Sequence, residues 1–142
     1  MIITWTLILL VVCAAFARTV LGSLWYSNAL FGQLWKNLHA DTSSFFHHSS
    51  NFLVDIGSFL VALVQVSFVL FLILALPNYS PYTIGFLLWL CVVLPEKILV
   101  HLFTPKGKHP ELLWINGGYE LAAIMLTVLI LTISVSNQVV AF

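Results

Sequence analysis

Four apolar runs, each about as long as a bilayer is thick and each nearly free of charge, leave this chain few folds to choose from. Residues 2–24 carry one charged side chain, Arg18, and residues 52–76 carry one, Asp55. Residues 82–103 carry Glu96 and Lys97, and residues 110–135 carry Glu111 and Glu120. A hydrocarbon core of ~30 Å is crossed by about 20 apolar residues as a helix, because in lipid each backbone polar group must find its partner within the segment. Of 142 residues, 61% are hydrophobic and only 7% are charged, too little polar surface for a water-soluble globule of this size. The expected fold is all-α, an integral membrane four-helix bundle forming one domain over residues 1–142, with spans at about 2–24, 52–76, 82–103 and 110–135.

Between the first two spans, apolar Leu30, Phe31, Leu34, Trp35 and Leu38 recur at helical spacing with Gln33, Lys36 and Asn37 among them. That pattern predicts a short amphipathic helix over about 29–39, lying in the membrane interface. The Ser- and His-rich stretch from Asp41 to Asn51 reads as a polar loop. Pro77-Asn78-Tyr79-Ser80-Pro81 reads as the turn between spans two and three. Pro95 removes a backbone hydrogen bond inside span three and should bend it, whereas Pro110 suits the first turn of span four. Ala15-Phe16-Ala17 resembles a signal-peptide cleavage site, but no basic segment precedes it and the apolar run continues to Leu24-Trp25, so the first segment is expected to remain a helix.

Every Lys and Arg falls in or near the connections between spans one and two or three and four: Arg18, Lys36, Lys97, Lys106 and Lys108. Basic residues stay cytoplasmic during insertion, which predicts a multi-pass plasma-membrane protein, bacterial inner membrane if the source is bacterial, with both termini outside. Formal net charge is zero, so nucleic acid is not an expected partner. Cys13 and Cys91 lie in apolar runs without metal-ligand spacing. His47 and His48 are adjacent rather than three or four apart, and His101 is the single histidine within a span, so neither a metal site nor a haem, nor any other cofactor, is expected. No Gly-x-Ser-x-Gly, Ser-His-Asp or His-Glu-x-x-His pattern occurs, and the chain is not read as an enzyme.

The segment Gly22-Ser23-Leu24-Trp25-Tyr26-Ser27-Asn28-Ala29-Leu30-Phe31-Gly32-Gln33-Leu34-Trp35 resembles the signature of a family of small bacterial membrane proteins, domain of unknown function family 1761. The signature turn comprises Trp25, Tyr26, Ser27, Phe31, Gly32 and Trp35, and Asn28 stands where that pattern has proline. Trp89-Leu90, Pro95, Leu102-Phe103 and Ile115-Asn116-Gly117-Gly118-Tyr119 are similar to the family's third and fourth helices. The resemblance implies four helices and no established activity.

Ionisable groups inside a bilayer cost at least ~2.5 kcal/mol each on insertion scales, so they turn inward, pair or snorkel. Counted from the nearer helix ends at about 1.5 Å per residue, Arg18, Glu96 and Glu120 lie about 9 to 15 Å deep, with Asp55 shallower. With His101 and Asn116 they make a candidate polar intramembrane layer. Adjacent Glu96 and Lys97 diverge around the helix, so Glu96 is expected to meet Arg18 rather than Lys97, while Asn116 and Glu120, four apart, form one stripe facing the same layer, and Arg18 is expected to neutralise Glu96, Glu120 or both. Two kinds of function fit this layer. As a structural ion-pair network it would fix helix register in a unit that self-associates, as a homo-oligomer, or supports a larger membrane complex. As a polar site it would serve small-molecule binding or proton-coupled transport. Apart from these, membrane lipids are the expected surroundings. Gly57, Ser58 and Ala62, and Gly117, Gly118 and Ala122, permit close helix approach.

Overall fold

The computed structural model describes residues 2–39, 52–103 and 110–139, and their helices are α1 (Ile2–Trp25), α2 (Gly32–His39), α3 (Phe52–Ala75), α4 (Pro81–Leu88), α5 (Leu94–Phe103) and α6 (Pro110–Val139). A π-helical turn, Trp89–Val93, joins α4 to α5. Four stretches are long and apolar enough to cross a membrane: Trp5–Trp25, Ile56–Ala75, Pro81–Phe103 and Pro110–Ile133. The all-α reading with four spans therefore holds. The expected polar loop, with His47 and His48, and the connection carrying Lys106, Lys108 and His109 lie outside the described residues.

Helix α6 is the hub, packing against α1, against the third span and, less extensively, against α3, while α1 also packs along α3. The apolar core joins Leu10, Ala14 and Ala15 of α1, Ala62, Val66, Val69 and Leu70 of α3, and Ile124, Val128 and Leu131 of α6. Lipid is as apolar as leucine, so no solvent effect drives these helices together, and close packing of small residues has to do it. Ala14, Ala15 and Ala123 are completely buried. At Gly85 of α4 an added Cβ would come within 2.9 Å of Val128 Cγ2 and 3.2 Å of Ile124 Cγ2, so only hydrogen lets α4 lie this close to α6. Hydroxyls in the spans are silenced locally, Thr19 donating to Ala15 O, Ser67 to Leu63 O and Thr127 to Ala123 O, each four residues back.

Pro95 perturbs span three as a widened turn just before it. The Leu94 N–H reaches back five residues to Trp89 O, and the proline, which has no N–H and whose ring crowds the carbonyl four residues earlier, follows directly. Trp89 and Leu94, five apart, consequently share the face toward α6. The Trp89 indole N–H donates to Gly117 O at 2.9 Å, and Leu94 Cδ1 is 3.9 Å from where a Gly117 Cβ would stand. A π turn rotates everything after it by roughly a quarter turn relative to an uninterrupted α-helix. That rotation decides where the charges of α5 point.

Candidate polar site between helices 1, 3 and 6

The site begins with the bend that ends α1. Ser27 makes the turn: its hydroxyl donates to Leu24 O at 2.7 Å and accepts from Ala29 N–H at 3.3 Å, while its carbonyl accepts from Leu30 and Gly32. Gly32 is pressed onto that turn, and a Cβ there would stand 2.3 Å from Tyr26 O. The interfacial helix expected from about residue 29 thus starts at Gly32, because residues 26–31 are committed to the turn. Asn28 caps the arrangement by accepting from Lys36 Nζ at 3.2 Å. The aromatic signature residues stack outward from it. Trp25 meets Phe31 with ring centroids 4.9 Å apart, and Tyr26 meets Trp35 edge-on at 5.9 Å.

These rings lock the end of α1 to α6. The Trp25 indole donates to Ile115 O at 3.1 Å and the Tyr26 hydroxyl donates to Asn116 Oδ1 at 2.9 Å, while Tyr26 and Tyr119 lie 5.5 Å apart. Burial, with Tyr119 and then Glu120 beside it, pushes the Tyr26 phenol well above its usual value of 10.0, which keeps it a donor. Two turns deeper, Arg18 donates to Glu120, the residue next to Tyr119 in the sequence, in an ion pair. Arg18 is only 4% exposed and the Glu120 side chain 16%. Gly22 makes room for Tyr119, since a Cβ there would sit 3.0 Å from the Tyr119 hydroxyl.

Of the residues proposed for one polar layer, Arg18, Asn116 and Glu120 come together and others do not. Glu96 is turned away from Arg18: its side chain is 61% exposed and its carboxylate lies 3.8 Å from Lys97 Nζ, the neighbour it was expected to avoid. Arg18 and Glu120 do stand at one level, but the expected facing of Glu96 fails, because the π turn rotates α5. A regular helix would have set Glu96, seven residues on, beneath Trp89 and toward α6. His101 is half-buried on α5 and does not line the space described next. The Asp55 side chain lies outside the described residues. Among the described residues no group of three metal-ligating side chains occurs.

A cavity of ≈ 570 Å³ opens beside the ion pair, between α1, α3 and α6. Arg18, Thr19, Tyr26, Tyr119 and Glu120 form its α1 and α6 walls, and Gly57, Ser58 and Gln65 lie on its α3 wall. The apolar core fills the other half of the assembly, nearer the N-terminus of α1, so the cavity belongs to the half where α1 ends and α3 and α6 begin. Its charged lining is one cation and one anion, already paired. Thr19 and Ser23 have given their protons to Ala15 O and Thr19 O, and Tyr26 to Asn116, so these oxygens offer lone pairs only. Gln65 has no hydrogen-bond partner among the described residues. Sequence reasoning missed Tyr119 and Gln65 as site residues. Gln65 carried a signal nonetheless, being a carboxamide in the middle of a largely apolar span.

Neither a curated protein nor a solved structure matches the chain. A family model described as a protein of unknown function, DUF1761, matches residues 9–132, a stretch that takes in the bend, the ion pair and the cavity. The chain belongs to that family.

Proposed function

We propose that this multi-pass membrane protein binds a small molecule in the cavity between α1, α3 and α6. The observation that carries the reading is the cavity itself, wide enough for a small ligand and lined by an intramembrane ion pair together with Gln65. Glu120 is not closed over by side chains but borders this open space. The chemistry of the walls limits the ligand. Because the lining charges cancel, a ligand with net charge would be left uncompensated in a low dielectric, so the fitting molecule is neutral. Because the hydroxyls of Thr19, Ser23 and Tyr26 present lone pairs, a ligand carrying hydrogen-bond donors can meet them.

The basic residues support an orientation with both termini outside, in the plasma membrane, as in a bacterial inner membrane. The cavity then opens toward the cytoplasmic leaflet, where Lys36 stands on α2. A small four-helix unit of this kind is equally suited to act within a larger membrane assembly.

Gly57 supplies the test. A Cβ added there would meet nothing within 4 Å, so a larger side chain enters the cavity without displacing packing. Native mass spectrometry of protein purified from membranes in mild detergent should show a bound small molecule in the wild type. Gly57→Leu should lose it while keeping its unfolding temperature. A wild type without adduct, or an adduct unchanged in Gly57→Leu, would count against the reading.

A further inference from the structure

Span three leaves an ionisable group where lipid should be. The Glu96 carboxylate stands on the outward side of α5, about 10 Å along the helix from its end at Phe103, and Lys97 is its single partner among the described residues. With Leu99, Val100 and Phe103, all exposed, it makes an i, i+3, i+4, i+7 stripe, the spacing by which one helix face packs on another. Span three is also the least covered of the four, with 11% of its apolar window buried against 39% for span four.

We propose that this stripe is the contact between two copies of the chain, related by a two-fold axis along the membrane normal, with Glu96 of each copy meeting Lys97 of the other. Two-fold contacts are reciprocal: whatever residue i does to residue j across the interface, j does to i. Glu96 and Lys97 are consecutive, so they lie at one depth, and a parallel neighbour presents the same two charges at the same level. Each carboxylate then lies between two ammonium groups and the cluster of four sums to zero. Lys97 is suited to this, since it flanks the stripe at its edge, next to Val100, on a long flexible stem. No other described cation is available there, as Arg18 is buried against Glu120 and Lys36 lies on α2. The shared charges bring specificity, and Leu99, Val100 and Phe103 supply the packing surface.

The test uses the full chain in phosphatidylcholine vesicles, with the exposed Cys13 and Cys91 replaced by serine. Oxidative cross-linking of Leu99→Cys should give a dimer band well above that of Val64→Cys, an exposed position on α3. In the Leu99→Cys background, Glu96→Lys and Lys97→Glu alone should each lower the cross-linked fraction about tenfold, since like charges facing each other across an interface are strongly unfavourable. The double exchange, Glu96→Lys with Lys97→Glu, should restore it. Glu96→Gln, close in shape and free of the folding risk of a reversal, should lower it as well. Cross-linking equal at Leu99→Cys and Val64→Cys, or unaffected by Glu96→Gln, or not regained by the double exchange, overturns the proposal.

Discussion

Arg18 and Glu120 form a pair that neither partner can leave without stranding the other. Removing one member of a buried pair typically costs about 3 to 5 kcal/mol, because the remaining charge has no compensation, whereas removing both is often tolerated. Arg18→Leu and Glu120→Gln should therefore each lower stability strongly in detergent, and the double variant should recover part of the loss. Glu96→Gln, by contrast, should leave the stability of a single chain within about 0.5 kcal/mol, since its own carboxylate is exposed and its partner is the adjacent residue at 3.8 Å. A cycle in which Arg18 and Glu120 prove additive would show that the pair carries no coupling. Tyr26 gives a pH-dependent counterpart. Its folded-state value is raised, so its stabilisation is complete below the unfolded value of 10.0 and is lost as pH rises past it. Unfolding free energy should decline above pH 10.0, and Tyr26→Phe should flatten that decline.

At the scale of the element, the bend from Trp25 to Trp35 is held by backbone contact more than by side-chain burial. Gly32 lies against the Tyr26 carbonyl so closely that any Cβ forces the turn open, and Gly32→Ala should cost about 1 to 3 kcal/mol. Gly57→Ala is the matched control, because its Cβ enters open space and alanine is the better helix former by up to about 1 kcal/mol. Thermal unfolding of the two variants side by side should move in opposite directions. The bend was legible in the sequence through Trp25, Tyr26, Ser27, Phe31 and Gly32, yet the reason glycine is needed at 32 was not. Helical spacing also placed the start of α2 too early, because spacing does not record that Leu30, Phe31 and Gly32 donate their N–H groups into a turn.

The whole molecule is asymmetric across the membrane, with an apolar core in one half and a polar cavity in the other. Under the orientation proposed from the basic residues, a C-terminal alkaline phosphatase fusion should be active in a bacterial host and a C-terminal fluorescent-protein fusion dark. The opposite pattern would place the cavity mouth on the outer leaflet and redirect the search for a ligand to that side.

Four spans and their approximate ends were determined by the sequence alone, because satisfying backbone groups in lipid is a local requirement that a run of apolar residues reveals by itself. The relative level of Arg18 and Glu120 was legible too, since a fixed rise per residue from their helix ends puts them alongside each other. Pairing was not. Which carboxylate meets Arg18 depends on how α5 is rotated, and that rotation comes from the π turn ahead of Pro95, where one altered hydrogen bond shifts every later side chain around the axis. The cavity is likewise a product of tertiary structure: Gly57, Gln65, Gly22 and Glu120 belong to three helices, and only the distances between those helices decide whether the space among them is filled or open.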